Sequence, residues 1–286
     1  MQPQVNLSVG PFNFSIRSNH KMVLDNLKLL YQDYALAEKY TFTDFDINIT
    51  TRSFIRKLIK PQVDFLLDEF APFKPLPKDH AFAMLEWGMN WCIATKAHHY
   101  LLLHAGTIEK NGKVIIMPAA PGSGKSTLTA ALVYNGWRLF SDELGLISLK
   151  DELVYPCTRP INLKNDSIDI IKNYIDGAVF STIANDTHKG TVSLLKPPKE
   201  SVERMHEPAA LHTFIFPKYV AGAKAKLTPL NKSEAFQVII EQSFNYHVLG
   251  LEAFELIAKL LNQVECYQFE YSDFEEAKIM FNELVN

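Results

Sequence analysis

The residues best suited to chemistry lie in one stretch, Gly122-Ser123-Gly124-Lys125-Ser126-Thr127, entered through Ala119-Ala-Pro121. They match the second half of the phosphate-binding pattern G-x-x-x-x-G-K-[ST]. Gly122 and Gly124 let backbone N–H groups turn inward onto phosphate oxygens with no Cβ in the way. Lys125 offers a point charge for β- and γ-phosphates, and the Ser126 hydroxyl is a hard oxygen ligand for Mg²⁺. The first glycine of the pattern is replaced by Ala119, a residue small enough for the loop to survive. The flanks supply the context such a motif needs. An apolar run, Val114–Met117, precedes it and a helical Leu128–Val133 follows. A helix starting near Ser126 also aims its N-terminal dipole at the same anion. The expected ligand is a nucleoside triphosphate.

Two acids come next. Gly136-Trp-Arg-Leu-Phe-Ser-Asp142-Glu143 reads as a short strand ending in a pair of carboxylates. Beside a phosphate loop, the carboxyl end of a strand is where a metal ligand or a catalytic base belongs. The same pair ahead of Gly145 fits a solvated turn equally well. Two cationic stretches, Arg159–Asp166 and Thr187–Gly190, fit either a second phosphate clamp or plain surface loops, and sequence favours the loops.

The elements that must hold these residues follow from periodicity. Residues 5–17 read as two short strands around Gly10-Pro11, 20–36 as an amphipathic helix through Leu36, and 45–51 as a half-buried strand. Prolines at 61, 72, 75 and 77 mark irregular backbone, and Pro72–Pro77 is the best candidate for a domain boundary. Residues 80–95 are apolar nearly all round, as in a buried helix, with Trp87 and Trp91 expected in the core. Tyr100–Gly106 reads as one buried strand ending in His104 and Gly106, followed by an Asn-Gly hairpin turn. Val192–Leu195 and Leu211–Pro217 read as strands, and two helices, 232–262 with a break at Gly250 and 273–285, close the chain.

Composition sets the outer bounds. Across 286 residues, 47% are apolar and 21% charged, enough for a sizeable core, and a net charge of −3 argues against a nucleic-acid partner. Three widely separated cysteines make neither a disulfide framework nor a zinc site. No basic-then-apolar leader pattern opens the sequence and no 18-residue apolar run occurs, so the expectation is a soluble, cytoplasmic protein with no membrane partner.

With these residues placed, the chain resembles the HPr kinase/phosphorylase family, and most closely its HprK-related kinase A group. Leu103-His104-Ala-Gly resembles the family's His-Gly strand end, twenty-one positions before Lys125. Gly136–Glu143 resembles its R-G-H-R-L-V-A-D-D segment, with Asp142 seventeen positions after the lysine. Val238-Ile-Ile-Glu241 with Asn245 resembles a run of its C-terminal helix. The closer group is indicated by Glu86-Trp-Gly-Met-Asn-Trp-Cys, Arg159-Pro-Ile-Asn-Leu-Lys-Asn and Ser243-Phe-Asn-Tyr. The resemblance covers about 80–286.

It implies an α/β P-loop kinase domain with a PEP-carboxykinase-like mixed sheet over 77–286, preceded by a small α+β region over 1–76 whose role is open. The implied reaction moves the γ-phosphoryl group of ATP, with Mg²⁺, to a hydroxyl, serine foremost, of a peptide or small protein. Asp142 would be the base, His104 would lie near the transferred phosphate, and Lys125 would hold it. Ser126, Glu143 and Asp166 would be the metal ligands, and a homo-oligomer is open. Two other readings stay open: a nucleotide-binding regulatory module with weak ATPase activity, and a small-metabolite kinase.

The chain also departs from the family. Glu143 stands for a second Asp, and Pro229-Leu-Asn-Lys232-Ser-Glu-Ala lacks both arginines of the family's P-V-R-P-G-R-N segment. No copy of the loop that handles phosphorylase chemistry is evident. These departures count against HPr as acceptor and against phosphorolysis.

Overall fold

The computed structural model describes residues 2–35, 42–53 and 59–286 of a mixed α/β chain. It opens on a five-stranded sheet in sequence order: β1 (Gln4–Val9), β2 (Phe12–Ser18), β3 (Phe45–Thr50), β4 (Gln62–Leu67) and β5 (Leu76–Pro77). Helix α1 (Lys21–Leu30) crosses between the parallel strands β2 and β3, and α2 (Ala81–Lys96) follows β5. Next come β6 (Tyr100–Leu103), β7 (Ala105–Lys110), β8 (Lys113–Pro118), α3 (Lys125–Val133), β9 (Arg138–Ser141), β10 (Gly145–Ser148) and β11 (Val154–Tyr155). After these lie β12 (Ile161–Lys164), α4 (Asp166–Tyr174), β13 (Ala184–Thr187), β14 (Gly190–Leu195) and α5 (Lys199–Glu203). The chain ends with β15 (Ala210–Tyr219), β16 (Lys226–Pro229), α6 (Lys232–Glu241), α7 (Tyr246–Leu249), α8 (Leu251–Gln263), β17 (Glu265–Tyr271) and α9 (Phe274–Val285).

The central sheet has the order β16-β17-β15-β8-β7-β9. Strands β8, β15 and β17 run parallel, and the outer pairings are antiparallel. The sequence of β8 explains its central place. Val114 and Ile116 enter one apolar cluster with Ala235, Ile239 and Ile257 of α6 and α8. Ile115 and Met117 enter another with Leu128 and Leu132 of α3 and Phe281 of α9. A continuous apolar run suits a strand covered on both faces, which is what helices on either side of a parallel core provide. The β7–β8 turn takes Asn111 and Gly112 at φ 56° and 77°, the paired left-handed residues of a tight hairpin. A third cluster fills the N-terminal sheet and α1, and continues into α2, Leu102 of β6 and Leu146 of β10.

Several elements differ from their sequence reading. The strand expected over Tyr100–Gly106 is broken at His104: β6 pairs with β10 in a small sheet, while β7 joins the central one. Helix α1 stops at Leu30, and Leu36 lies outside the described residues. The Pro72–Pro77 stretch contributes β5, paired with β4. Between the last two helical stretches runs β17, a full strand parallel to β15. Its buried Cys266, Phe269 and Tyr271 are separated by more exposed residues, a pattern interrupted enough to be taken for a loop.

Candidate active site

The phosphate loop joins the end of β8 to the start of α3. Its backbone is fixed from outside: Ser123 C=O accepts from Tyr219 N–H at 3.0 Å, and Gly124 C=O accepts from Tyr271 Oη at 3.0 Å. Gly124 has φ 87°, and a Cβ there would stand 2.5 Å from that phenol oxygen, so only glycine fits. No side chain caps α3, which leaves its first N–H groups for a ligand. Gly106 of β7 lets the helix approach, because a Cβ there would collide with Thr129 Oγ1.

A cavity of about 330 Å³ opens over this loop, lined by the segment Pro121–Thr127 together with His104, Glu143, Asn162 and Lys164. Lys125 is 6% exposed and its Nζ has no hydrogen-bond partner. Burial, partly offset by Asp142 and Glu143, pulls its pKa down to about 8. Asp142 is 4% exposed and lines a second, small pocket that shares Glu143 and Asn162 with the cavity. Its Oδ2 accepts from the Asn162 backbone N–H at 3.1 Å, while Oδ1 has no partner. Burial and the Glu143 charge raise its pKa to about 6, against the pull of Lys125. Glu143 accepts from Asn90 Nδ2 and, at 3.2 Å, from Asn162 Nδ2. Burial works to raise its pKa, but the Lys189, Lys164 and Lys125 charges outweigh it and hold the carboxylate ionised. His104 donates its backbone N–H to Gln242 C=O at 2.7 Å, and burial with the Lys125 charge lowers its ring pKa to about 4. The ring is therefore neutral at pH 7.

The structure thus brings His104, the phosphate loop and Glu143 around one cavity, with Asp142 in the small pocket that shares Glu143 and Asn162. Asp166 is not brought to them. It stands exposed at the first turn of α4, while its neighbours Asn165 and Ser167 line the cavity. Asn162 and Lys164 belong to the Arg159–Asp166 stretch, for which sequence favours a surface loop over a second phosphate clamp, yet both line the cavity. Ile161 and Leu163 of β12 are buried in the core, so strand alternation turns Asn162 and Lys164 to the site. Arg159, read as part of a cationic surface loop, is buried and pairs with Glu86 at 2.5 Å. Lys189 reaches the cavity's edge, with Nζ 5.1 Å from the centre of the Trp87 ring. Trp87 and Trp91, expected in the core, are half-buried and wall a groove.

Buried charged groups ordinarily have partners, because an unpaired one carries its full desolvation cost. Here Lys125 Nζ, Asp142 Oδ1, Asn162 Oδ1 and Ser123 Oγ are all unsatisfied within one neighbourhood. A polyphosphate with its cation would supply partners of the right sign for each charged group. No group of three His, Cys, Asp or Glu side chains suited to a metal ion occurs among the described residues. Mg²⁺ carried largely by phosphate oxygens and water needs only one or two protein ligands.

No family model matches the chain, and no curated protein matches it.

Proposed function

We propose that the protein is an ATP- and Mg²⁺-dependent kinase of P-loop type, built on a mixed sheet like that of PEP carboxykinases. Its acceptor is a hydroxyl, serine foremost, on a peptide or small protein. The observation that carries this reading is the unpartnered pair, Lys125 Nζ and Asp142 Oδ1, buried together at the end of the phosphate loop. A structural ion pair would have closed. With a pKa of about 6, Asp142 is mostly ionised at neutral pH and basic enough to take up a hydroxyl proton.

Bound Mg–ATP supplies the γ-phosphoryl group and much of the charge that phosphoryl transfer must neutralise. The remaining tasks fall to the chain. Backbone N–H groups of the segment Gly122–Ser126 hold phosphate oxygens, and Lys125 contributes its charge in a dry site, where it counts for more than in water. Ser126 and Glu143 are the oxygen donors placed to meet a cation. Asp142 Oδ1 accepts the proton of the acceptor hydroxyl. His104, neutral, donates a hydrogen bond rather than a charge toward the transferred group. Lys164 and Lys189 keep Glu143 ionised, which a metal ligand requires.

The test is transfer itself. Labelled ATP and Mg²⁺, incubated with the protein and an extract of its own cells, should label an acceptor. Asp142→Asn should lower that labelling by at least about a hundredfold, the size of a lost general base, with ATP affinity retained. Undiminished labelling in this variant would sink the mechanism. Nucleotide-dependent partner binding that persists in it, without transfer, would favour a regulatory module.

A further inference from the structure

Beyond the nucleotide cavity, a second groove begins at His104 and Glu143 and runs outward along α2. Its inner part, about 460 Å³, is walled by Trp87, Trp91, Phe244 and Lys189. Its outer part, also about 460 Å³, shares Trp87, Trp91 and Lys189 and continues to Phe73, Lys74 and His188. The two parts therefore form one trough, and its inner end is also the edge of the phosphate site.

The walls differ along its length. The inner half presents aromatic side chains: Trp87 and Trp91 line it, and Phe244 stays 42% exposed. Large aromatic side chains left open in a concave groove are anchors for an apolar group. The outer half is cationic. Lys74 is exposed, Lys189 rests over the Trp87 ring, and His188 packs against the same ring at 4.9 Å. Among the described residues, Glu143 is the one acid lining the trough, at its inner end, where it accepts from Asn90 and Asn162. Burial and the Lys189 and Lys164 charges lower the His188 pKa, and Lys74 and Lys189 supply the positive charge of this half.

We propose that this trough is the acceptor cradle, and that it selects an extended peptide whose hydroxyl residue lies beside an apolar side chain with acidic residues farther out. The inference rests on the kinase reading for the word acceptor, but the peptide chemistry follows from the trough alone. The length decides against a small metabolite. A metabolite hydroxyl at His104 would leave the aromatic wall and Lys74 without a role, whereas an extended chain passes both.

Binding and transfer are tested separately. The probes are the synthetic peptides Glu-Glu-Phe-Ser-Ala and Ala-Ser-Phe-Glu-Glu, which cover both chain directions, each with counterparts that carry Gln-Gln or Lys-Lys in place of Glu-Glu. In copies that carry Ala for the Ser, binding is read without nucleotide from tryptophan fluorescence, because Trp87 and Trp91 line the trough while Trp137 is buried elsewhere. The Glu peptide should bind about tenfold tighter than the Lys peptide at low salt, as expected for two partly exposed ion pairs, and the preference should shrink as salt rises. Lys74→Glu with Lys189→Glu should reverse it. Lys74→Gln alone should halve the preference on a logarithmic scale and leave ATP affinity unchanged, which reports an intact fold. Trp87→Leu should weaken all three peptides together.

Equal binding of the three peptides, or a preference untouched by the lysine reversals, overturns the trough. So does phosphorylation of a small metabolite by an enzyme that binds no peptide. Transfer to a protein acceptor with no such preference overturns the trough and leaves the kinase reading standing. Binding of the Glu peptide with no transfer from ATP upholds the trough and overturns the kinase reading instead.

Discussion

The Glu86–Arg159 pair gives the sharpest energetic prediction. The two side chains are 3% and 8% exposed, and their charged atoms stand 2.5 Å apart. Arg159 also donates to the Glu86 backbone C=O at 2.8 Å and to Asn90 Oδ1 at 2.5 Å, while Glu86 Oε1 accepts from Tyr31 Oη at 2.7 Å. Glu86→Leu leaves the guanidinium buried without a counter-charge, which costs about 3–5 kcal/mol. It also strips the Tyr31 hydroxyl of its acceptor, roughly another 1 kcal/mol. A loss near 5 kcal/mol, with an unfolding entropy of about 2.1 cal/mol/K per residue, lowers Tm by about 8 °C for a chain of 286 residues. The discriminating variant is the double, Glu86→Leu with Arg159→Met. A well-packed apolar pair commonly equals or exceeds a buried ion pair, so the double should recover most of the loss. Urea unfolding of the four proteins closes the cycle. If Glu86→Leu costs under about 1 kcal/mol, or the double is no more stable than the single, the pair is not desolvated as described.

Gly124→Ala should cut nucleotide affinity at least tenfold and lower stability by about 1–3 kcal/mol, because φ 87° and the Tyr271 hydroxyl both exclude a Cβ; calorimetric titration with ATP and a melting curve check the two parts, and normal ATP binding would refute it. Asn90→Leu removes a donor to Glu143, so turnover should fall about 10–100-fold with a smaller change in KM for ATP, and an unaltered kcat would deny Asn90 a positioning role. Asp273 caps α9 by accepting from the Glu276 N–H at 2.9 Å. Asp273→Ala should therefore cost about 1 kcal/mol in urea unfolding without altering nucleotide affinity.

What the sequence revealed and what it hid divide by range. The phosphate loop was legible because its conformation is local: glycines at two positions and a helix start specify it within nine residues. The Asn111-Gly112 hairpin was legible for the same reason. Strand β17 alternates too irregularly for a period to stand out, and only pairing with β15 makes it a strand. The break at His104 was hidden because Leu103 and Ala105 are equally apolar; two sheets compete for the chain there, and neither is visible from its neighbours in sequence. Lys164 and Lys189 read as surface charges because nothing near them in sequence shows the carboxylate that draws them in.

The same division governs what holds the site. Tyr31, just past the end of α1, donates to Glu86, Glu86 pairs with Arg159, Arg159 donates to Asn90, and Asn90 donates to Glu143. Each step joins residues at least 53 positions apart, so no spacing rule could have assembled it. Every link is buried or half-buried, where a missing partner is costly, and so each constrains the next. The N-terminal sheet is fastened to this chain of bonds through α1, and its core is continuous with α2, which carries both Glu86 and Asn90. Cutting the chain at Glu86 should therefore register at Glu143 as well as in stability. In Glu86→Gln, which keeps the shape and drops the charge, kcat should fall by more than KM for ATP rises. If stability drops and kcat does not, the N-terminal region supports the fold alone and the geometry of Glu143 is set by Asn162 and the neighbouring lysines.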